Sequence, residues 1–278
     1  MAGTSGIDDR GQFHDDFRLS ITKALGDQLA KALDTLGPAQ LSEENLAELK
    51  ERPGVYQLYV KGKFVYVGKA DQSKGLPGRL RNHLRKLGGR LNIDLADVTF
   101  SCLYVDEDFS ALAPERLLIT HYRKKLGGIP WDNSGFGSKD PGVRRDKTVL
   151  KKAHFDVQYP INLAAPAEGL RAGPTSLKDL LADIKAGLPY LFRYEEPPES
   201  ANIMVEVPPG PVTADQAFRI AGAAIPAPWQ ITALLSHVIM YEGTEEYSSA
   251  TRYYRPDGVT DQEPKKDSAP LTAADIAE

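Results

Sequence analysis

Residues 54–70 read GVYQLYVKGKFVYVGKA, and this stretch decides the fold of the chain. Two runs of β-branched and aromatic residues, 54–60 and 64–67, flank a short polar turn that contains Gly62. This pattern predicts a β-hairpin. If the hairpin closes at Gly62, Tyr56 and Tyr66 lie nearly opposite each other and share one face of the sheet.

The residues after the hairpin predict two helices separated by a strand. A loop is expected over 75–78, and the spacing of three leucines predicts a helix over 79–87. The run 98–105 predicts a third strand, and a helix is expected over 115–126 because Pro114 fits a first helical turn. We therefore expect an α+β fold with a β-β-α-β-α core, in which a small mixed sheet of about three strands is flanked by N- and C-terminal helices.

The flanking regions are more helical. An i, i+4 apolar spacing predicts an amphipathic helix over 12–36, and a short helix is expected after Ser42. The elements expected beyond the core are helices over 177–187, 214–224 and 230–241, a strand over 202–207, and a loose polar tail after Pro256. The chain thus divides into an N-terminal helical arm (1–50), a core that ends in a long loop (51–152) and an acidic, helix-containing extension (153–278).

Composition narrows the class of protein. Of the 278 residues, 41% are hydrophobic and 26% charged, which excludes a wholly disordered chain. No apolar run approaches about 18 residues, and the N-terminus lacks a basic and apolar leader, so neither a membrane span nor a signal peptide is expected. The single cysteine, Cys102, excludes an internal disulfide and suits a reducing cytosol.

Charge is segregated along the chain. Residues 51–152 carry a net charge of +9, whereas residues 1–50 carry −4 and residues 153–278 carry −9. A basic centre between acidic ends is typical of a segment that contacts a polyanion such as nucleic acid. On charge alone, a solvated basic surface without a partner is the alternative.

The core offers the groups that phosphodiester cleavage requires. The two hairpin tyrosines, Lys69 or His83 can take a proton from water, and Arg79, four residues before His83 on one helix face, can oppose charge on phosphoryl oxygens. Glu115 stands at a helix N-terminus, where the dipole holds a carboxylate ionised, and it can supply an oxygen ligand to Mg²⁺. No second carboxylate is patterned with Glu115, which favours a one-metal site.

The triplets Gly54-Val55-Tyr56 and Tyr66-Val67-Gly68, nine residues apart, resemble the signature of the GIY-YIG nuclease superfamily, with Val in place of Ile in both. The other family positions that match are a helix arginine, a metal-binding glutamate and an asparagine found in restriction enzymes, here Arg79, Glu115 and Asn133. With His83 added, residues 54–146 are most similar to the type II restriction endonucleases that cut CCGCGG.

This resemblance implies a role for each side chain around the phosphate. Tyr56 would be the general base, aided by Lys69 or His83. Tyr66 would position the water or the scissile phosphate, and Arg79 would stabilise the transition state. An unperturbed tyrosine titrates near a pKa of about 10, so Tyr56 needs help to act as a base.

The resemblance also implies a cofactor and a substrate. Glu115 would bind one Mg²⁺ per active site, for which Mn²⁺ can substitute, and Asn133 would support the geometry around the metal or phosphate. The enzyme would be a type II restriction endonuclease that makes double-strand cuts at a short GC-rich palindrome. It would act as a homodimer on double-stranded DNA in the prokaryotic cytoplasm, with no membrane partner.

Basic residues outside the catalytic set are candidate DNA contacts. Arg144 and Arg145, in the long loop 130–148, can read guanine in the major groove or touch only phosphates. The remaining residues expected to contact DNA are Arg81, Lys124, Lys125 and Lys139. Two other functions stay open: a repair, structure-specific or homing endonuclease with the same site, and a non-catalytic DNA-binding module.

Overall fold

The computed structural model describes residues 20–105, 114–132, 134–137 and 146–267. The elements of the first half are α1 (Ile21–Asp34), β1 (Ala39–Gln40), α2 (Glu43–Ala47), β2 (Gly54–Val60), β3 (Lys63–Ala70), α3 (Gly75–Gly88), β4 (Val98–Tyr104) and α4 (Pro114–Leu126). Those of the second half are β5 (Leu150–Lys151), α5 (Phe155–Gln158), β6 (Gly173–Ser176), α6 (Leu177–Gly187), β7 (Phe192–Tyr194), β8 (Met204–Val207), α7 (Ala214–Ala224), β9 (Trp229–Leu234), β10 (Val238–Glu242), β11 (Ala250–Arg255), β12 (Gly258–Asp261) and β13 (Lys266–Asp267). The α+β class is confirmed.

The predicted hairpin, β2 and β3, forms one side of a four-stranded sheet with the order β1-β4-β2-β3, in which β3 is an edge strand. All of its strand pairs are antiparallel, so the expectation of a mixed sheet of about three strands was wrong. The added strand, β1, has two residues, too few to show alternation in the sequence. In the hairpin register Tyr56 faces Gly68 and Tyr66 faces Leu58, so the two tyrosines are diagonal neighbours on one face rather than directly opposite.

Alternation along β2 gives this sheet two buried faces. Val55 and Val67 pack on one face with α1 and α4, while Tyr56 and Tyr66 pack on the other with α3. Helix α1 begins at Ile21, after the N-cap Ser20, and confirms the described part of the helix predicted over 12–36. The sheet therefore separates a supporting helical layer from the layer that carries the tyrosines.

Helix α3 begins four residues earlier than the sequence suggested, so the expected loop 75–78 was wrong. Gly75 starts the helix with φ +59°, and a Cβ there would lie 2.9 Å from the backbone nitrogen of Arg52. Pro77 lies in the first turn, where its missing N–H costs nothing. The glycine and proline that indicated a loop are instead features of the helix start.

A five-stranded sheet, ordered β12-β11-β9-β10-β7, dominates the C-terminal third, with α6 and α7 packed on it. Helices α6 and α7 match the predictions for 177–187 and 214–224, and β8 lies within the strand predicted over 202–207. The helix predicted over 230–241 was wrong, because this stretch forms β9 and β10. The tail after Pro256 was also wrong as far as residue 267, because β12 pairs with β11. Throughout the described ranges, no helix combines the length and apolar character needed to cross a membrane.

A buried ion pair joins the core to the C-terminal third. Arg90 donates to the Asp156 carboxylate at 2.7 Å and to the carbonyls of Tyr159 at 3.0 Å and Ser236 at 3.3 Å. The side chains of Arg90 and Asp156 are only 3% and 5% exposed. The C-terminal part of the chain is therefore packed against the end of α3 through Asp156, Tyr159 and Ser236.

We expect Arg90→Ala to lower the free energy of unfolding by about 3–5 kcal/mol, because it leaves the Asp156 charge buried without its partner. Urea denaturation with a far-ultraviolet signal measures this loss. The matched control is Arg81→Ala, which breaks an exposed pair with Glu43 and should cost less than about 1 kcal/mol. Equal losses in the two variants would contradict a stabilising role for the buried pair.

Candidate active site

A phenol, a guanidinium and an imidazole meet beneath the face of the hairpin. The Tyr56 hydroxyl lies 2.7 Å from Nε2 of His83, and Nε of Arg79 donates to the same hydroxyl at 3.2 Å. Arg79 and His83 are brought to one side by their four-residue spacing on α3, as the sequence predicted. Tyr56 is fully buried and His83 is 3% exposed, whereas Arg79 is partly exposed.

The chemistry of these three groups determines which of them donates and which accepts each hydrogen bond. Because a guanidinium can only donate, the Tyr56 oxygen accepts from Arg79, and its own hydrogen is left for Nε2 of His83. Burial, together with Arg79 and Lys86, lowers the pKa of His83 well below 6.5, so the imidazole is a neutral acceptor. Burial, with Tyr66 and Glu115, raises the pKa of Tyr56 against the effect of Arg79, so the phenol is neutral as well.

A short segment, residues 134–137, closes one side of the site. The Phe136 ring stacks on His83 at 4.9 Å and meets Tyr66 edge-on at 4.9 Å. Arg79 donates to the Gly137 carbonyl at 3.3 Å. Gly137 has φ +73°, and a Cβ there would collide with the Tyr66 hydroxyl. Sequence reasoning did not foresee this role of Phe136 and Gly137, although both lie within four residues of Asn133.

Gly68 makes room for the Tyr56 hydroxyl from the neighbouring strand. A Cβ at this position would lie 2.6 Å from Cζ of Tyr56 and 2.9 Å from the Tyr66 ring. We expect Gly68→Ala to lower the free energy of unfolding by about 1–3 kcal/mol, because both rings are enclosed and cannot move freely.

Urea denaturation of Gly68→Ala beside Gly128→Ala tests this prediction. A Cβ at Gly128 would meet no heavy atom within 4 Å, so this control should unfold like the wild type. A Gly68→Ala protein as stable as the control would show that the tyrosines have space to shift.

Glu115 supplies a carboxylate next to these groups. It lies partly buried in the first turn of α4, and its charge interacts with those of Arg79 and Lys69. Burial raises its pKa, with Asp132 acting in the same direction and Arg79 in the opposite one. Loss of solvent is the largest influence on its pKa, and the expectation that the dipole of α4 holds the carboxylate ionised stays a prediction.

The surroundings of Glu115 fit a single hard cation. Asp132, whose charge acts on Glu115, is paired with Arg123 at 2.7 Å. Among the described residues, no group of three or more His, Cys, Asp or Glu is placed to hold a metal ion. Mg²⁺ commonly takes one or two carboxylates and keeps several waters. One partly desolvated carboxylate matches that preference.

The other predicted residues lie in different places. Lys69 is the penultimate residue of β3, and its charge acts on Glu115. Lys124 and Lys125 are exposed at the far end of α4, and Lys125 pairs with Asp34 at 3.0 Å. Nine residues of helix place Lys124 about 14 Å from Glu115 along the axis, so neither lysine reaches the tyrosines. Arg81 is exposed and pairs with Glu43 at 2.9 Å. The predicted residues that lie outside the described part of the chain are Asn133, Lys139, Arg144 and Arg145.

Comparison with known proteins gives no relative: no protein-family model matches the chain, and no curated protein is significantly similar to it.

Proposed function

We propose that the chain is a Mg²⁺-dependent endonuclease of the GIY-YIG type that hydrolyses phosphodiester bonds in double-stranded DNA. One observation carries this proposal: the Tyr56 hydroxyl bridges Arg79 and His83 next to the carboxylate of Glu115. A proton acceptor, a cation and a metal ligand are the groups that phosphodiester hydrolysis requires. They lie together although 58 residues separate Tyr56 from Glu115 in sequence.

The geometry favours His83 over Lys69 as the group that assists Tyr56. As the Tyr56 oxygen takes a proton from the attacking water, the phenol hydrogen passes to Nε2 of His83, which it already faces at 2.7 Å. This relay needs no free phenolate, which the raised pKa of Tyr56 makes scarce at neutral pH. Arg79, partly exposed beside the phenol, then opposes the negative charge that develops on the phosphoryl oxygens.

Glu115 is the residue that would hold the metal ion, with Mn²⁺ as a substitute for Mg²⁺. When bound, the ion supplies Lewis-acid stabilisation of the phosphoryl oxygens and of the leaving 3′-oxygen. Tyr66 lies on the same face as Tyr56, with ring centroids 6.2 Å apart, and would orient the water or the phosphate.

We further propose a type II restriction activity, in which two copies of the chain cut both strands of a short GC-rich palindrome. One active site per chain cuts one strand, so cutting both strands of a palindrome requires two chains. A two-fold symmetric homodimer fits the two-fold symmetry of such a duplex. Such an enzyme would act in the prokaryotic cytoplasm, where it meets foreign DNA.

Digestion of a fully sequenced plasmid with Mg²⁺, followed by mapping of the ends, tests the function. Fixed double-strand breaks at one short sequence are the expected result. Cleavage confined to branched or nicked substrates would indicate a repair enzyme instead. Binding without cleavage across many sequences would indicate a non-catalytic DNA-binding module.

A further inference from the structure

An open groove of about 830 Å³ runs between the core and the C-terminal third. The core contributes Lys74, Arg79 and Lys86 from α3 and the residue before it, and the C-terminal third contributes Lys185, Tyr190 and Ser236. Its volume lies within the range of about 300–1,000 Å³ that is usual for ligand sites. Since Arg79 and His83 line it, the groove opens from the candidate active site itself.

The groove is positively charged on both walls. Six of the described residues that line it are Lys or Arg, and Asp156 is the one acid among them. Asp156 is neutralised by Arg90, and Arg85 is held by a carbonyl of the C-terminal third, that of Leu188, so these residues serve the contact between the two halves.

Two further cations, Lys86 and Lys185, are held against aromatic rings at the walls of the groove. Nζ of Lys86 lies 5.2 Å from the Phe136 ring, and Nζ of Lys185 lies 5.3 Å from the Tyr194 ring, both within the range of cation–π contacts. Residues 153–278 carry a net charge of −9. Among the described residues that line the groove, this part of the chain contributes Lys185 and one acid, Asp156, which is paired with Arg90. A polyanion can therefore approach here, although the net charge of residues 153–278 would repel it elsewhere.

We propose that this groove binds the sugar-phosphate backbone of the DNA strand next to the scissile phosphate, with Lys185 contacting a phosphate from the C-terminal third. The inference rests on the proposed function and assigns a role to residues 153–278, which the minimal catalytic core does not need. An open groove that continues from the site suits a chain of phosphates better than an isolated small anion. Lys74 and Lys86 contact the same strand from the core.

The test compares charge reversals at two exposed lysines of α6. Lys185→Glu changes the groove, whereas Lys178→Glu changes a lysine that lies outside it and pairs with Glu196 at 3.1 Å. Binding of a fluorescent 30-base-pair duplex is measured without Mg²⁺ at several NaCl concentrations. We expect Lys185→Glu to weaken binding at least tenfold and to make the slope of log affinity against log salt shallower by about one, as loss of a phosphate contact requires. Lys178→Glu should stay within about twofold of the wild type, as a lysine without a phosphate contact should.

The outcomes test DNA binding by the groove separately from the nuclease activity. Equal affinities and salt slopes in the two variants would contradict DNA binding by the groove, and they would not bear on the proposed nuclease activity. A weakened Lys185→Glu in a protein that never cleaves DNA supports the groove and overturns the nuclease. A wild-type protein that does not bind the duplex overturns the groove, and the plasmid digestion with Mg²⁺ decides the nuclease by itself.

Discussion

Glu115→Gln is expected to slow Mg²⁺-dependent cleavage of plasmid DNA by about 10⁴-fold, since a catalytic metal supplies several kcal/mol of charge stabilisation. The amide keeps the shape of the side chain but removes the charge that would hold the ion. Single-turnover cleavage measures the loss, and duplex binding without metal should be unchanged. The control is Glu44→Gln, which also removes an acid from the first turn of a helix but lies on the surface.

Glu115→Gln is expected to slow cleavage but not to lower the stability of the metal-free fold. Burial raises the folded-state pKa of Glu115, so its contribution to stability is present at low pH and lost as the pH rises through that pKa. At pH 7 the ionised group therefore destabilises the metal-free fold, and Glu115→Gln should unfold at an equal or higher temperature. Mg²⁺ should raise the melting temperature of the wild type and not that of the variant. Cleavage within tenfold of the wild type, or an equal response to Mg²⁺, would contradict the assignment.

The parts of the fold that could be predicted are those whose signals are local. Residues 54–70 carry strand pattern and turn together, and the helices α4, α6 and α7 carry a single apolar face with clear ends. The stretch 230–241 misled because β9 is buried on both faces. Its two polar residues, Gln230 and Thr232, are buried as well, so their alternation with apolar neighbours does not mark an exposed face. A short, mostly apolar stretch of this kind cannot be told from a buried helix by its period alone.

The candidate site was predictable in composition and not in arrangement. The residue types and the four-residue spacing of Arg79 and His83 are local properties of the sequence. Whether His83 or Lys69 faces Tyr56 depends on how α3 packs under the sheet, which no short pattern encodes. The raised pKa of Glu115 depends likewise on what buries it. The groove could not be predicted because one wall comes from α3 and the other from residues 185–237, which are distant in sequence.

Tyr56→Phe is expected to slow cleavage by about 10³-fold, within the range that proton transfer by a positioned side chain contributes. Phe fills the same fully buried volume and keeps the ring next to Tyr66, so the fold should persist. The variant loses only the hydroxyl that links Arg79 to His83. Single-turnover cleavage at saturating enzyme separates this effect from DNA binding. Tyr59→Phe, whose hydroxyl bonds to Gln57 at 2.6 Å on the same strand, is the control and should cleave normally.

A second substitution tells the relay from a free phenolate. If Tyr56 passes its proton to His83, the two residues act as a unit, and Tyr56→Phe combined with His83→Gln should be about as slow as Tyr56→Phe alone. Because the pKa of His83 is lowered below 6.5, its acceptor nitrogen is unprotonated at pH 6.5, and the wild-type rate there should lie within about threefold of that at pH 7.5. A rate that falls tenfold between pH 7.5 and pH 6.5 would indicate a phenolate base. If the rate losses of the two single variants multiply in the double variant, the proton does not pass through the 2.7 Å contact between Tyr56 and His83.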